Sequence, residues 1–329
     1  MARTQVKVSI DGMPVSGVFF ERLVSLTITD REGIRSDTLV LVFDDSPPHF
    51  ASPRRGAVAD VLLLSEDGGS FVGSYIIDKV DYSCFPHTIS VSGHSADLRS
   101  EMKTNKARHW DDISVKDLVT EIAAEYELKV KISDKVSSHI YEWIGQQDET
   151  DLHFLQRLSK RHNALFTIKN GNMIWLERGV GLTASGDAIP AIAIHASNIV
   201  VGSCKVSEKD VDLYKTVSAY YHDRGGAARK KATVDGSPDG DGEHVIRDPY
   251  SSEDEAKAAA NAYVSDMLRG SITTSCSVVG RPSLMAGQPF FYQSVRPGID
   301  ARQFIFDMVK HTYTKGGGLL SYFNGKIKQ

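Results

Sequence analysis

The chain has 329 residues, 41% hydrophobic and 24% charged, with 38 Lys plus Arg against 42 Asp plus Glu. This composition excludes a disordered chain, and the length accommodates two or three domains with separate cores. A formal net charge of −4, with the basic residues scattered, excludes a protein dedicated to gripping duplex nucleic acid, which would carry a basic footprint.

Cys84, Cys204 and Cys276 are odd in number and widely spaced, so the sequence encodes neither a disulfide framework nor a CxxC metal site. Reduced thiols, buried or half-buried, are expected. The opening "MARTQVKVSIDG" lacks the apolar core of a secretion signal. No apolar run approaches the roughly 18 residues that cross a bilayer, so no membrane anchoring of its own is expected.

Residues 1–103 alternate with period two in "QVKVSIDG", "LVSLTITD", "DTLVLVFDD" and "TISVSG", punctuated by Asp-Gly, Gly-Gly and Pro-Pro turn signals. Short strands at this spacing predict an antiparallel sandwich or barrel as the first β domain.

Helical spacing first appears in residues 104–180, predicted as an α+β middle domain. Ser114 suits an N-cap with Asp117 three residues on, and Val115, Leu118, Val119, Ile122, Ala123 and Tyr126 share one face. In the next helix Asp148, Glu149 and Asp151 load the positive end of the macrodipole and Arg157, Lys160, Arg161 and His162 the negative end. Leu152, Leu155 and Leu158 form its stripe. "ALFTIKNGNMIWLERG" then reads as a hairpin closed at Asn170-Gly171.

Residues 181–329 return to alternation and are predicted as a second β domain. Within it, residues 224–250 are polar and rich in Gly and Asp, which predicts a long exposed loop or hairpin tip. Residues 252–269 predict a helix capped by Ser252 with Glu255, burying Ala256, Ala259, Ala260, Tyr263 and Met267, and stopped by Gly270. The predicted fold class is mainly β, two antiparallel β units flanking an α+β insertion.

Gly93-His94-Ser95-Ala96-Asp97 falls one residue short of the G-x-S-x-G elbow of serine hydrolases. Asp97 would crowd the helix approach, and the surrounding antiparallel pattern lacks the alternating βα rhythm of a hydrolase sheet. A strand exit capped by Ser95 or Asp97 fits better. Asp235, Asp239, Asp241 and Glu243 miss the spacing of a calcium loop, and the histidines do not form HxH or HxxxH pairs. Tyr220, Tyr221, Phe290, Phe291 and Tyr292 sit in strand patterns that suit cores or subunit faces. A glycan-binding module would need Trp110, Trp143 and Trp175 exposed, yet Trp143 and Trp175 are expected to pack the middle domain. No catalytic, cofactor-binding or metal-ligating residue is assigned, and no enzymatic activity is expected; a serine hydrolase on Ser95 and a wall-glycan module are the competing readings.

"QQDETDLHFLQRLSKRHNALFTIKNGNMIWLE" resembles the acidic-Thr-Asp-Leu-x-Phe-Leu-x-Arg-Leu helix and hairpin of phage late-control D proteins, the baseplate hubs of contractile tails, and of the related N-terminal part of VgrG spikes. "ISVKDLVTEIAAEYELKV", "VSGHSADL", the Gly-x-Pro-x-Leu-x-x-Gly run of "GRPSLMAG" and the His-x-Tyr of "KHTYT" are similar to further parts of that family in the same order. The resemblance implies a homotrimer whose two barrels per chain form a pseudo-sixfold ring, adapting a sixfold tail tube to a threefold spike. It implies as partners the tube or tube-initiator protein, a central spike protein, baseplate wedge proteins and the tape-measure protein, without stable nucleic-acid binding. The chain ends at Gln329 without the spike β-helix of full VgrG proteins, so a separate spike is expected. The implied location is the tail baseplate of a phage or of a tail-like particle such as an R-type pyocin, assembled in the bacterial cytoplasm.

Overall fold

The computed structural model describes residues 5–15, 21–33, 37–49, 51–64, 70–95, 102, 104–169, 171–181, 183, 187–210, 213–223, 226–300 and 302–328. The first portion supplies β1 (Gln5–Ile10), β2 (Met13–Pro14), β3 (Leu23–Arg31), β4 (Thr38–Asp44), β5 (Val58–Leu64), β6 (Ser70–Cys84) and β7 (His87–Ser95). Every second residue turns inward, as the pleat requires. Leu26, Ile28, Leu39, Leu41, Leu63 and Val91 are fully or almost fully buried in one core.

The middle portion contains β8 (Asn105–Ser114), α1 (Val115–Ala124), β9 (Lys129–Ile132), α2 (Asp134–Ser137), β10 (Ile140–Thr150), α3 (Asp151–Arg161), β11 (Ala164–Lys169) and β12 (Asn172–Glu177). Ser114 Oγ caps α1 by accepting from Asp117 N at 3.0 Å, and the six predicted apolar positions of this helix are buried. Thr150 Oγ1 caps α3 through His153 N at 3.1 Å. Lys169 pairs with Asn172 across the β11–β12 hairpin, where Gly171 has a φ of 69°. Asn170 lies outside the described residues.

The last portion contains β13 (Ile192–His195), β14 (Lys205–Glu208), β15 (Thr216–Asp223), β16 (Ala228–Asp235), β17 (Glu243–Tyr250), α4 (Glu253–Ser271), β18 (Ile272–Val279), β19 (Pro289–Gln293), β20 (Gln303–Thr314) and β21 (Gly318–Ile327). Its main core is aromatic: Phe290 stacks on Phe306 with centroids 4.0 Å apart, and Phe304 and Phe323 close around them.

The chain is mainly β with an α+β insertion. Among the described residues thirteen strands form one sheet with the order β14-β18-β21-β20-β3-β4-β7-β6-β5-β1-β2, and β19 joins β20 and carries β13. The first and last portions meet where β20 pairs antiparallel with β3, from Met308 opposite Arg31 to Thr314 opposite Ser25. Leu319 of β21 reaches into the first core. Two hydrophobic cores therefore sit on a single continuous sheet.

Four expectations need correction. Residues 224–250 are not a loop: β16 and β17 flank β15 in a separate three-stranded sheet on which α4 packs. Arg224 and Gly225 lie outside the described residues. β16 is an edge strand that buries only Ala232, so its "ARKKATVD" carries no alternation to read. Helix α4 runs through Gly270 to Ser271, because β18 follows directly and Gly270 is tolerated in the last turn. Trp143 is 48% exposed, its ring lying over Gly145, whereas Trp110 is buried and stacked on Phe154 at 5.4 Å. Cys84 is exposed at the β6–β7 turn, and buried Cys276 has Cys204 as a neighbour.

Candidate functional site

The three portions are joined around a single turn. Residues 280–287 connect β18 to β19 and contain the Gly-x-Pro-x-Leu-x-x-Gly run. Asp30, at the end of β3 and 2% exposed, accepts from Ala286 N at 2.8 Å through Oδ2. Its other oxygen meets Lys169 Nζ, at the tip of β11, at 3.3 Å. His311 of β20 is fully buried; its Nε2 lies 3.0 Å from the Leu284 carbonyl oxygen and its Nδ1 2.8 Å from Ser321 Oγ, which donates to the Arg281 carbonyl. One turn is thus held by β3, β20 and β21, and through Asp30 it is tied to the middle portion.

Asp37 completes the junction. Its Oδ2 lies 3.3 Å from Lys169 Nζ, its Oδ1 accepts from Arg31 N at 3.1 Å, and its carbonyl oxygen accepts from Ser95 N at 2.8 Å. Burial, then the neighbouring Asp30 charge, push the Asp37 carboxyl up to about 6. Burial opposes the charge on Lys169, but the two carboxylates outweigh it and raise that pKa. Burial lowers the pKa of His311.

The middle portion is fixed by a second polar cluster. Asp151, the first residue of α3, is fully buried. It accepts from Lys106 Nζ at 2.7 Å, Arg108 Nη2 at 2.7 Å, Gln146 Nε2 at 2.9 Å and the Tyr126 hydroxyl. Desolvation opposes its charge, yet these donors hold its pKa below the ordinary carboxylate value. Glu125 also pairs with Lys106 and Arg108, and Arg108 Nε donates to Gln146 Oε1 at 2.8 Å. Asp151 stands at the N-terminal end of α3, as the charge pattern predicts, and is also the buried centre that ties β8, β10 and α1 to α3. Asp148 and Glu149 lie in β10, and Glu149 pairs with Arg157 at 2.5 Å.

The near-elbow is a strand exit. A Cβ on Gly93 would stand 2.7 Å from the Ile76 carbonyl oxygen, so glycine is required where β7 crosses the β6 irregularity between Ile77 and Lys79. His94 Nδ1 lies 2.9 Å from Asp78 Oδ2. Ser95, its neighbour on the strand, projects to the opposite face, so the two do not make a nucleophile–base pair. Ala96 and Asp97 lie outside the described residues. Asp235, Asp239 and Asp241 are exposed around the turn between β16 and β17, while Glu243 pairs with Lys231 at 2.6 Å. Among the described residues no group of three or more His, Cys, Asp or Glu side chains is placed to hold a metal ion.

Buried ionic and hydrogen-bonded joints thus tie a two-core sheet and an inserted domain together. The chain matches the phage tail baseplate hub (GPD) family over residues 69–317 and belongs to it. It is 25% identical to the probable baseplate hub protein of Escherichia phage 186, across 94% of this chain and 89% of that one. The 43 kDa tail protein of prophage MuSo2 from Shewanella oneidensis shares the fold, with a TM-score of 0.71 over 98% of both chains at 14% identity. An Escherichia coli component of the type VI secretion system, described as similar in structure to the T4 tail proteins gp27 and gp5, has a TM-score of 0.60 at 12% identity, covering 98% of this chain and 77% of that one. The protein is a baseplate hub of a phage-type tail, related in fold to the VgrG-type spikes.

Proposed function

We propose that the chain acts as a homotrimeric collar of a contractile tail, joining the sixfold tail tube to the threefold central spike, and that it has no enzymatic activity. The observation that carries this reading is the pair of separate cores on one continuous sheet, locked by the β20–β3 pairing. Three such chains around an axis present six β lobes to one side while keeping threefold symmetry on the other, which is the geometry a six-to-three adaptor needs. Subunit interfaces of this obligate kind bury on the order of 2,000 Å² or more.

In this reading the tube or tube-initiator protein sits above the collar and the spike protein below it. Wedge proteins surround it, the tape-measure protein enters from the tube, and assembly takes place in the bacterial cytoplasm. Light scattering of the purified chain, followed by cryo-electron microscopy of the chain mixed with tube and spike proteins, tests it: a trimer bridging the two is expected, and a monomer that joins neither ends the proposal. The non-enzymatic part is tested with a fluorophosphonate probe. No labelling of Ser95 is expected, and labelling lost in Ser95→Ala overturns it.

A further inference from the structure

Between α3 and the β17–α4 unit lies a cleft of about 760 Å³ whose character runs against the acidic balance of the chain. Arg157, Lys160, Arg161, Arg178 and Arg247 line it, opposed by Asp248 and Asp266. Three of these cations are engaged: Arg157 with Glu149 at 2.5 Å, Arg161 with Glu255 at 2.9 Å and Arg178 with Asp266 at 3.7 Å. Lys160 and Arg247 are exposed and, among the described residues, meet no carboxylate at ion-pair distance.

Apart from Asp266, the α4 wall of the cleft is apolar for a reason visible in the sequence. The run "AKAAANAYV" places Ala259 and Ala262 on the cleft side of α4, and their short side chains leave a depression beside Ile246 and Tyr263. His244 stacks on Tyr263, with centroids 4.1 Å apart, which keeps that wall rigid. A cationic rim above an apolar floor matches an extended protein segment carrying both carboxylates and apolar side chains. Duplex DNA offers the charge but nothing for the floor.

The lining residues belong to the middle portion and to the β15–β17 and α4 unit, and none lies in the thirteen-stranded sheet. If that sheet builds the collar, the cleft stays open to proteins packed around it. We propose that this cleft is the docking site for an acidic, partly apolar segment of a protein surrounding the hub. The inference rests on the collar reading only for the position of the partner; the recognition chemistry is independent of it.

The test measures fluorescence anisotropy on the full chain. Its probes are a labelled dodecapeptide of Glu-Glu-Leu repeats, one of Lys-Lys-Leu repeats, and a labelled 12-base-pair DNA duplex. The acidic peptide is expected to bind at least about tenfold tighter than the other two, a difference of roughly 1.4 kcal/mol. The double variant K160E/R247E is expected to lose at least about tenfold in affinity with an unchanged melting temperature, while K160R/R247K stays within about threefold of the wild type. Equal binding by K160E/R247E, or duplex binding as tight as the peptide, overturns the proposal. So does dissociation of a wild-type oligomer by the peptide, since the cleft would then be filled by a second copy. A wild type that trimerises normally but ignores the acidic peptide sinks this inference alone, whereas a monomer that binds it sinks the collar and leaves the cleft.

Discussion

Lys169 Nζ stands 3.3 Å from Asp30 Oδ1 although 139 residues separate them, and the second oxygen of Asp30 holds the Ala286 amide at 2.8 Å. A single buried carboxylate therefore touches all three portions of the chain.

Asp30→Ala is expected to destabilise the protein by roughly 2–4 kcal/mol, because it strands a half-buried amide and leaves Lys169 to Asp37 alone. Urea denaturation checks this. A loss below about 0.5 kcal/mol would show that the junction is held by the β20–β3 pairing alone.

Asp37 gives the junction a pH dependence of defined sign. Its folded carboxyl titrates at about 6 against an ordinary 3.8, so the folded chain holds that proton more tightly than the unfolded one. This contribution is complete below about pH 4 and is withdrawn as pH rises through 6, by up to about 3 kcal/mol. Asp37→Asn is expected to flatten the stability profile between pH 4 and 6, measured by denaturation at half-unit steps; an unaltered slope contradicts the assignment.

The acidic residues near the start of α3 should separate sharply. Asp151→Ala removes the acceptor for four donors and leaves Lys106 and Arg108 with Glu125, for an expected loss of roughly 3–5 kcal/mol. Asp148→Asn alters an exposed side chain at a left-handed position that Asn accepts, and is expected to stay within about 0.5 kcal/mol. Equal effects in thermal melts would mean that both act only on the helix dipole.

His311→Leu keeps the volume of a buried ring but deletes its contacts with Leu284 and Ser321. An expected loss of about 1–3 kcal/mol should be accompanied by faster amide exchange in residues 280–287, the turn those contacts hold. Exchange that quickens evenly over the whole sheet would count against a local clamp.

The alternation of β3, β4 and β7 was legible because half-buried strands must bury every second residue. The face of α1 was legible because Ser114 caps where its apolar spacing begins, whereas in α3 Leu155 and Leu158 are buried as expected but Phe154 is buried and Leu152 only half-buried. β16 was not legible, since an edge strand that buries only Ala232 leaves too few inward positions to show a period. Trp143 is exposed where packing was expected because burial depends on which sheet face a partner covers, and strand spacing is silent on that.

The junction divides in the same way. Gly280, Pro282, Leu284 and Gly287 and the later His311 and Tyr313 are readable as separate motifs, and the carboxylates of Asp30, Asp37 and Asp151 are ordinary in composition. The sequence by itself determined the mainly β class, the inserted α+β unit and the caps, because local periodicity and turn chemistry act over a few residues. Only the tertiary structure decided that Asp30 meets Lys169 and that His311 grips Leu284. Such pairings depend on strand order and register between distant segments, which no local pattern encodes.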